Sequence, residues 1–234
     1  MPRFAVILPA AGRSTRFGHK HYKKPFAPLK GKAVWLHSVD LFVNRADVAQ
    51  VILAISPEDR QEFMSRFGAN IAIHGIELVD GGKERADTIE AAMSRLRDDI
   101  EYVCVHDVAR PCVSSLWIDS VFAEAVKSGA AILAEPVTST LKRVGDSKLI
   151  EATVPRDRIF AAQTPQVFRR DIIEQAYARR EGFQATDDAQ LVERLGGTVK
   201  VVPCSMMNLK ITTQADLRLA ERILDALPKP GGIF

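Results

Sequence analysis

Short, unbroken apolar runs alternate along the chain with stretches of helical period. Phe4-Ala5-Val6-Ile7-Leu8, Gln50-Val51-Ile52-Leu53-Ala54-Ile55, Ile76 to Val79, Tyr102-Val103-Cys104-Val105-His106 and Ala130 to Ala134 are the apolar runs. A strand with one wet face alternates apolar and polar residues; a strand covered on both faces does not. These five runs therefore predict buried strands. Between them, Val34 to Val43 has apolar residues at 35, 36, 39, 42 and 43, and Glu84 to Arg97 has Ile89, Met93 and Leu96 on one helical face. Pro57 suits the first turn of a helix running through Phe67, and another helix is expected at about Ser115 to Lys127. Five alternations of strand and helix predict an α/β fold, a Rossmann-like three-layer sandwich whose sheet is mostly parallel.

The alternation breaks at about 137–156. Thr138, Thr140, Leu141, Arg143 and Val144 precede Gly145-Asp146, and Leu149, Ile150 and Thr153 follow. Two β-rich runs about a Gly-Asp turn read as a hairpin. A hairpin with no sheet to join is marginal alone, so it either protrudes to pack on a second copy of the chain or stands as a two-stranded flap. Beyond it come helices near Asp171–Arg179 and Thr186–Leu195, a strand at Thr198–Val202, a short apolar run at Met207–Ile211 and a last helix at Gln214–Leu227. Thr186-Asp187-Asp188 and Thr212 to Asp216 have the hydroxyls and early acids of helix starts.

Sheets of this class bind ligands beyond the carboxyl ends of their strands. Three clusters fall there. Ala10, Ala11 and Gly12 follow the first strand and leave backbone groups approachable, with Arg16 and Lys24 further along the same loop. Small residues with Arg and Lys suit a polyphosphate: the guanidinium grips two oxygens and the ammonium supplies a point charge. The spacing fits neither the P-loop nor the dinucleotide fingerprint, since no Gly-Lys-Ser/Thr is present and Ser14 replaces the second glycine. The second cluster is Asp80-Gly81-Gly82 and the third is Asp107 with Arg110. Each has a plain alternative: a basic surface loop, a glycine turn, an aspartate bonded to its own turn, an arginine paired with a helix carboxylate. Taken together they imply nucleotidyl transfer.

Composition narrows this further. The chain has 234 residues, 47% hydrophobic and 26% charged, and a net charge of +3 spread along its length. That balance gives no reason to expect nucleic acid or an anionic membrane as partner. Cys104, Cys112 and Cys204 are odd in number and lack metal-ligand spacing, so free thiols in a cytoplasmic protein are expected. No apolar run approaches the ~20 residues of a membrane span. The N-terminal apolar patch reads as a strand rather than a signal peptide.

Several motifs recur in order: Pro9-Ala10-Ala11-Gly12, Arg16, Lys24, Gly81-Gly82-Lys83-Glu84-Arg85-Ala86-Asp87-Thr88, His106-Asp107-Val108-Ala109-Arg110-Pro111, Pro136-Val137-Thr138-Ser139-Thr140-Leu141-Lys142, Thr164-Pro165-Gln166 and Asn208-Leu209-Lys210-Ile211-Thr212. In these the chain resembles the 2-C-methyl-D-erythritol 4-phosphate cytidylyltransferases of the non-mevalonate isoprenoid pathway, over nearly its whole length. The resemblance implies one nucleotidyltransferase domain over 1–234 whose hairpin is a dimerisation arm, and hence a homodimer. It implies that the phosphate of methylerythritol phosphate attacks the α-phosphorus of CTP and expels pyrophosphate, with Mg²⁺ on the triphosphate and Asp107 a possible ligand. It implies that Arg16 and Lys24 stabilise the transition state, and that Ala10, Ala11, Gly12, Gly82 and Thr88 contact CTP. Asp107, Arg110, Thr140, Thr186 and Lys210 would surround the sugar phosphate, positioned by Lys210 and by the partner subunit's Arg156. Ser14 stands where the family usually has glycine, and Thr88 where it usually has serine.

The residue types suit that chemistry. A phosphate monoester is a nucleophile at neutral pH, so alignment and fixed positive charge suffice. Two alternatives stand beside it: a cytidylyltransferase for ribitol 5-phosphate, and a nucleotide-binding regulator without catalysis.

Overall fold

In the computed structural model, which describes residues 1–12 and 24–228, the elements follow the order β1 (Phe4–Pro9), β2 (Pro28–Leu29), β3 (Lys32–Ala33), α1 (Val34–Asp40), β4 (Val48–Ile55), α2 (Arg60–His74), β5 (Glu77–Asp80), α3 (Arg85–Met93) and β6 (Tyr102–Val105). Then come α4 (Ser115–Ser128), β7 (Ala130–Pro136), β8 (Leu141–Val144), β9 (Ile150–Val154), β10 (Phe160–Arg169), α5 (Arg170–Ala178), α6 (Asp188–Arg194), β11 (Lys200–Pro203) and α7 (Gln214–Ala226). Seven strands form one sheet in the order β11-β7-β10-β6-β1-β4-β5.

The apolar runs are explained by where they sit. Phe4, Val6 and Leu8 of β1 pack toward Trp35 of α1, Phe63 of α2 and Phe122 of α4, whereas Ala5 and Ile7 pack toward Ile89 of α3, Ile173 of α5 and Leu191 of α6. Both faces are covered, giving three layers, and all five of those β1 residues are at most 2% exposed. Burying each large aliphatic side chain contributes on the order of 2 kcal/mol, so a charge at Val6 or Ile7 would break the layer contact. The strand ends are set locally: α4 stops at Gly129, whose φ of 88° is the left-handed cap that frees the chain to enter β7.

All neighbours in the sheet are parallel except those of β10, which runs antiparallel between β6 and β7. This ten-residue strand is not anticipated by the pattern. Gln163-Thr164-Pro165-Gln166 interrupts its apolar residues, and proline usually excludes a central strand. Here the ladder shifts register between Ala162 and Gln166, so the proline sits in an irregularity. The apolar run Met207–Ile211 forms no strand, and its neighbour β11 begins at Lys200.

The hairpin is present. β8 and β9 pair with each other antiparallel, as a two-stranded sheet separate from the main one. Val144, Leu149 and Ile150 on it are half or more exposed. Thr213 and Asp216 cap α7 reciprocally, as the sequence suggests; on α6 the cap is Asp187, one residue past Thr186. Among the described residues no helix is long and apolar enough to cross a membrane.

Candidate active site

The ends of β1, β5 and β6 open onto one crevice of about 420 Å³, lined by Pro9 to Gly12, Gly82 to Arg85 with Thr88, Asp107 to Ala109, Pro25 and Lys210. The three clusters read from the sequence thus converge. The first two touch. A Cβ on Gly81 would stand 2.5 Å from the Ala11 Cβ, and one on Gly82 would stand 2.4 Å from the Asp87 Cβ. Both positions have room for glycine alone.

Some of the backbone groups expected to meet a ligand are already engaged. The Ala10 N–H donates to Ala54 O at 2.7 Å, extending the sheet. The Gly82 N–H donates to Thr88 Oγ1 at 3.1 Å, and that hydroxyl donates to Glu84 O at 3.0 Å. Thr88 is 3% exposed. Its hydroxyl therefore shapes the glycine turn, with one lone pair remaining for a nucleotide.

Asp107 is built into the far wall. Its N–H donates to Thr164 Oγ1 at 2.9 Å, which places β10 behind it. The Thr164 hydroxyl faces His106 Nδ1 at 3.2 Å, and His106 Nε2 faces Arg110 O at 3.1 Å. The carbonyl can only accept, so Nε2 carries the proton and Nδ1 accepts from Thr164. Burial lowers the His106 pKa to about 4, so the ring is neutral at neutral pH and braces the loop. The Asp107 carboxylate meets Lys210 Nζ at 2.6 Å, with Arg85 Nε and Arg110 Nε each at 3.8 Å. Burial favours its neutral acid, but Lys210, Arg85 and Arg110 outweigh that and hold its pKa below the usual carboxylate range.

Lys210 reaches Asp107 because its segment is pinned. The Ile211 N–H donates to Ala109 O at 2.8 Å and Arg110 Nη1 donates to Asn208 O at 2.7 Å. Asn208, fully buried, donates to Gln163 Oε1 and Thr164 O at 2.9 Å each. Arg85 is a lining residue that the sequence reading quoted in a motif without a role; its Nη2 lies 2.6 Å from Asp188 Oδ2.

The remaining expected residues lie elsewhere. Arg16, like Ser14, falls outside the described residues, and of Lys24 only the backbone is described, opening the 3₁₀ turn Lys24–Phe26 whose Pro25 lines the crevice. Thr140 and Arg156 are exposed on the arm, Arg156 donating to Thr138 O, and neither lines the crevice of its own chain. Thr186 is exposed and bonds Gln190 Oε1, also away from the crevice.

Asp107 is poorly disposed toward a cation, because three basic side chains already neutralise it. Among the described residues no group of three or more His, Cys, Asp or Glu could hold a metal.

A family model for 2-C-methyl-D-erythritol 4-phosphate cytidylyltransferase matches residues 4–226. The chain belongs to this family. The enzyme of that name from Rhodopirellula baltica is 45% identical to it over 233 residues, covering 94% of each chain. Among crystal structures, the cytidylyltransferase of Thermus thermophilus is 31% identical with a TM-score of 0.76, covering 96% of this chain and 100% of the other. The 4-diphosphocytidyl-2C-methyl-D-erythritol synthase of Anaerococcus prevotii is 27% identical with a TM-score of 0.80, covering 96% of each. The chain is thus a cytidylyltransferase, a nucleotidyltransferase of isoprenoid biosynthesis, and these relatives carry the methylerythritol rather than the ribitol name. A small-residue floor with converging basic side chains is what such an enzyme requires at its phosphates.

Proposed function

We propose that the crevice at the carboxyl end of the sheet is where this chain transfers CMP from CTP to 2-C-methyl-D-erythritol 4-phosphate, giving 4-diphosphocytidyl-2-C-methyl-D-erythritol and pyrophosphate. A phosphate oxygen of the sugar phosphate forms the new bond to the α-phosphorus, and the bond to the pyrophosphate oxygen breaks. The nucleophile is already ionised, so no base is needed, and both ring nitrogens of neutral, buried His106 are taken up by Thr164 and Arg110. Catalysis rests on alignment and on cations placed where charge accumulates. Arg16 and Lys24 have that role at the triphosphate. Ala10, Ala11, Gly12 and Gly82 shape the nucleotide side, with Thr88 holding the Gly82 turn.

On the sugar side, Asp107 accepts from a substrate hydroxyl while Lys210 and Arg110 face the phosphate. Thr140 and the partner subunit's Arg156 complete that side in a homodimer joined through the arm, and Thr186 stands at its edge. Mg²⁺ enters as part of the substrate, on the CTP phosphates, which need no protein nest for it. A cytoplasmic enzyme drawing on cytoplasmic CTP fits the free thiols, Cys104 and Cys112 buried and Cys204 half-buried.

The observation that carries the sugar-side assignment is Lys210 Nζ at 2.6 Å from Asp107, at the mouth of a crevice floored by small residues. Lys210→Ala should raise KM for the sugar phosphate about tenfold or more, the scale of one charge-assisted contact, with KM for CTP much less affected. Steady-state kinetics with each substrate varied in turn checks this. An unchanged KM for the sugar phosphate would remove Lys210 from that side.

A further inference from the structure

Behind the crevice, charges alternate from the surface inward: Lys210, Asp107, Arg85, Asp188. The last of these is fully buried. Asp188 Oδ2 receives Arg85 Nη2 at 2.6 Å and Oδ1 receives the Tyr177 hydroxyl at 2.6 Å. Its backbone N–H, with that of Ala189, donates to Gln166 Oε1 at 3.1 Å, and Gln166 Nε2 donates to Asp187 Oδ2 at 2.9 Å. Asp188 is thus held from several directions and acts as a fixed post. Arg85 is not buried to the same degree: its side chain is 29% exposed and lines the crevice.

The distances on Arg85 are unequal. It makes a hydrogen-bonded ion pair with Asp188 but stays 3.8 Å from Asp107, attracting that carboxylate without capping it. Asp107 is left to Lys210, and its free lone pairs to a ligand. We propose that Asp188 is a positioning residue for cytidylyl transfer, holding the Arg85 guanidinium back so that it faces the crevice beside Asp107 instead of closing on it. The proposal rests on the placement of Asp107 at the sugar side of the site. A purely stabilising role explains the pair less well. Buried ion pairs contribute little net stability against apolar replacements of similar size, and this one reaches from the core into the ligand cavity. Burial works against the charge on Arg85, yet Asp188 and Asp107 raise its pKa, so the guanidinium stays charged. With Asp188 neutralised, Asp107 is the remaining carboxylate paired with Arg85 among the described residues. A bidentate Arg85–Asp107 pair would then compete with Lys210 and with the substrate.

The test is a kinetic cycle. Asp188→Asn is nearly isosteric and keeps polar partners for Arg85 and Tyr177. It should lower kcat/KM for the sugar phosphate by about tenfold, the range of coupling between neighbours in one charge network, with KM for CTP within about twofold of wild type. In an Asp107→Asn background the same substitution should add little, because no carboxylate remains for Arg85 to capture. The paired variant Arg85→Gln/Asp188→Asn leaves no uncompensated buried charge, so it serves if Asp188→Asn does not fold. It cannot capture Asp107, but it loses the guanidinium that Asp188 holds facing the crevice, and so it too should lose about tenfold in sugar-phosphate kcat/KM. Effects that multiply across the cycle, equal changes in both KM values, or a paired variant with wild-type kinetics would each overturn the proposal. If Asp107→Asn alone leaves the sugar-phosphate kinetics unchanged, the placement of Asp107 fails first and this proposal falls with it.

Discussion

Mixing the Arg156→Ala and Lys24→Ala proteins should restore activity that neither has alone. Arg156 is exposed at the foot of β9, bonded only locally to Thr138 O among the contacts described, and it does not line the crevice of its own chain. Thr140, at the other foot of the arm, is placed the same way. Among the described residues the arm forms strand pairs only with itself, and Val144, Leu149 and Ile150 leave apolar surface on it. Two arms crossing a two-fold axis would cover those residues and carry each Arg156 to the other subunit's site. In a mixed dimer one site then collects both lesions. The other combines an intact Lys24 from one chain with an intact Arg156 from its partner. A purified mixed dimer should therefore regain activity approaching half that of wild type, one working site of two. If Arg156 serves its own chain, both sites keep a lesion and nothing returns. Failure to recover activity, with subunit exchange confirmed by mass, would rule out the shared site. The alternative it excludes is ordinary: an arginine on an exposed hairpin is commonly just solvated.

Lys24→Ala should reduce kcat by ~10²-fold or more, the cost of removing one preorganised electrostatic partner from a transition state, with KM for CTP changed much less. The backbone of Lys24 enters the 3₁₀ turn whose next two residues are fixed: Pro25 lines the crevice and Phe26 packs in the core against Phe63. Its backbone is therefore anchored at the rim. Charge builds on the phosphates only as the sugar phosphate attacks, so a fixed cation there acts on the barrier more than on ground-state binding. Single-turnover rates at saturating substrates isolate that step. A kcat near wild type would remove Lys24 from the transition state.

Much of this was legible before the structure because burial on both faces leaves its mark on sequence. β1, β4 and β6 read as unbroken apolar runs for that reason, and their carboxyl ends pointed to the crevice. β10 was not legible, since Gln163, Thr164 and Gln166 are buried polar residues that serve the site's back wall instead of the core pattern. Gln166 caps α6, Thr164 holds Asp107, and Gln163 holds Asn208. Their partners are distant in sequence, so no local spacing betrays them. Asp188 was visible only as an early helix acid; its pairing with Arg85, 103 positions away, belongs to the fold. Thr88 came only from the family resemblance, as an expected contact to CTP; its bonds to Gly82 and Glu84 show it working on the protein.

The most direct test of the assignment is pyrophosphate release by the purified chain with Mg²⁺ and CTP, with methylerythritol phosphate or ribitol 5-phosphate as acceptor. The expected result is rapid release that depends on methylerythritol phosphate, stoichiometric with the diphosphocytidyl product, and far slower release with ribitol 5-phosphate. Faster turnover of ribitol 5-phosphate, or CTP binding with no release for either acceptor, would contradict it.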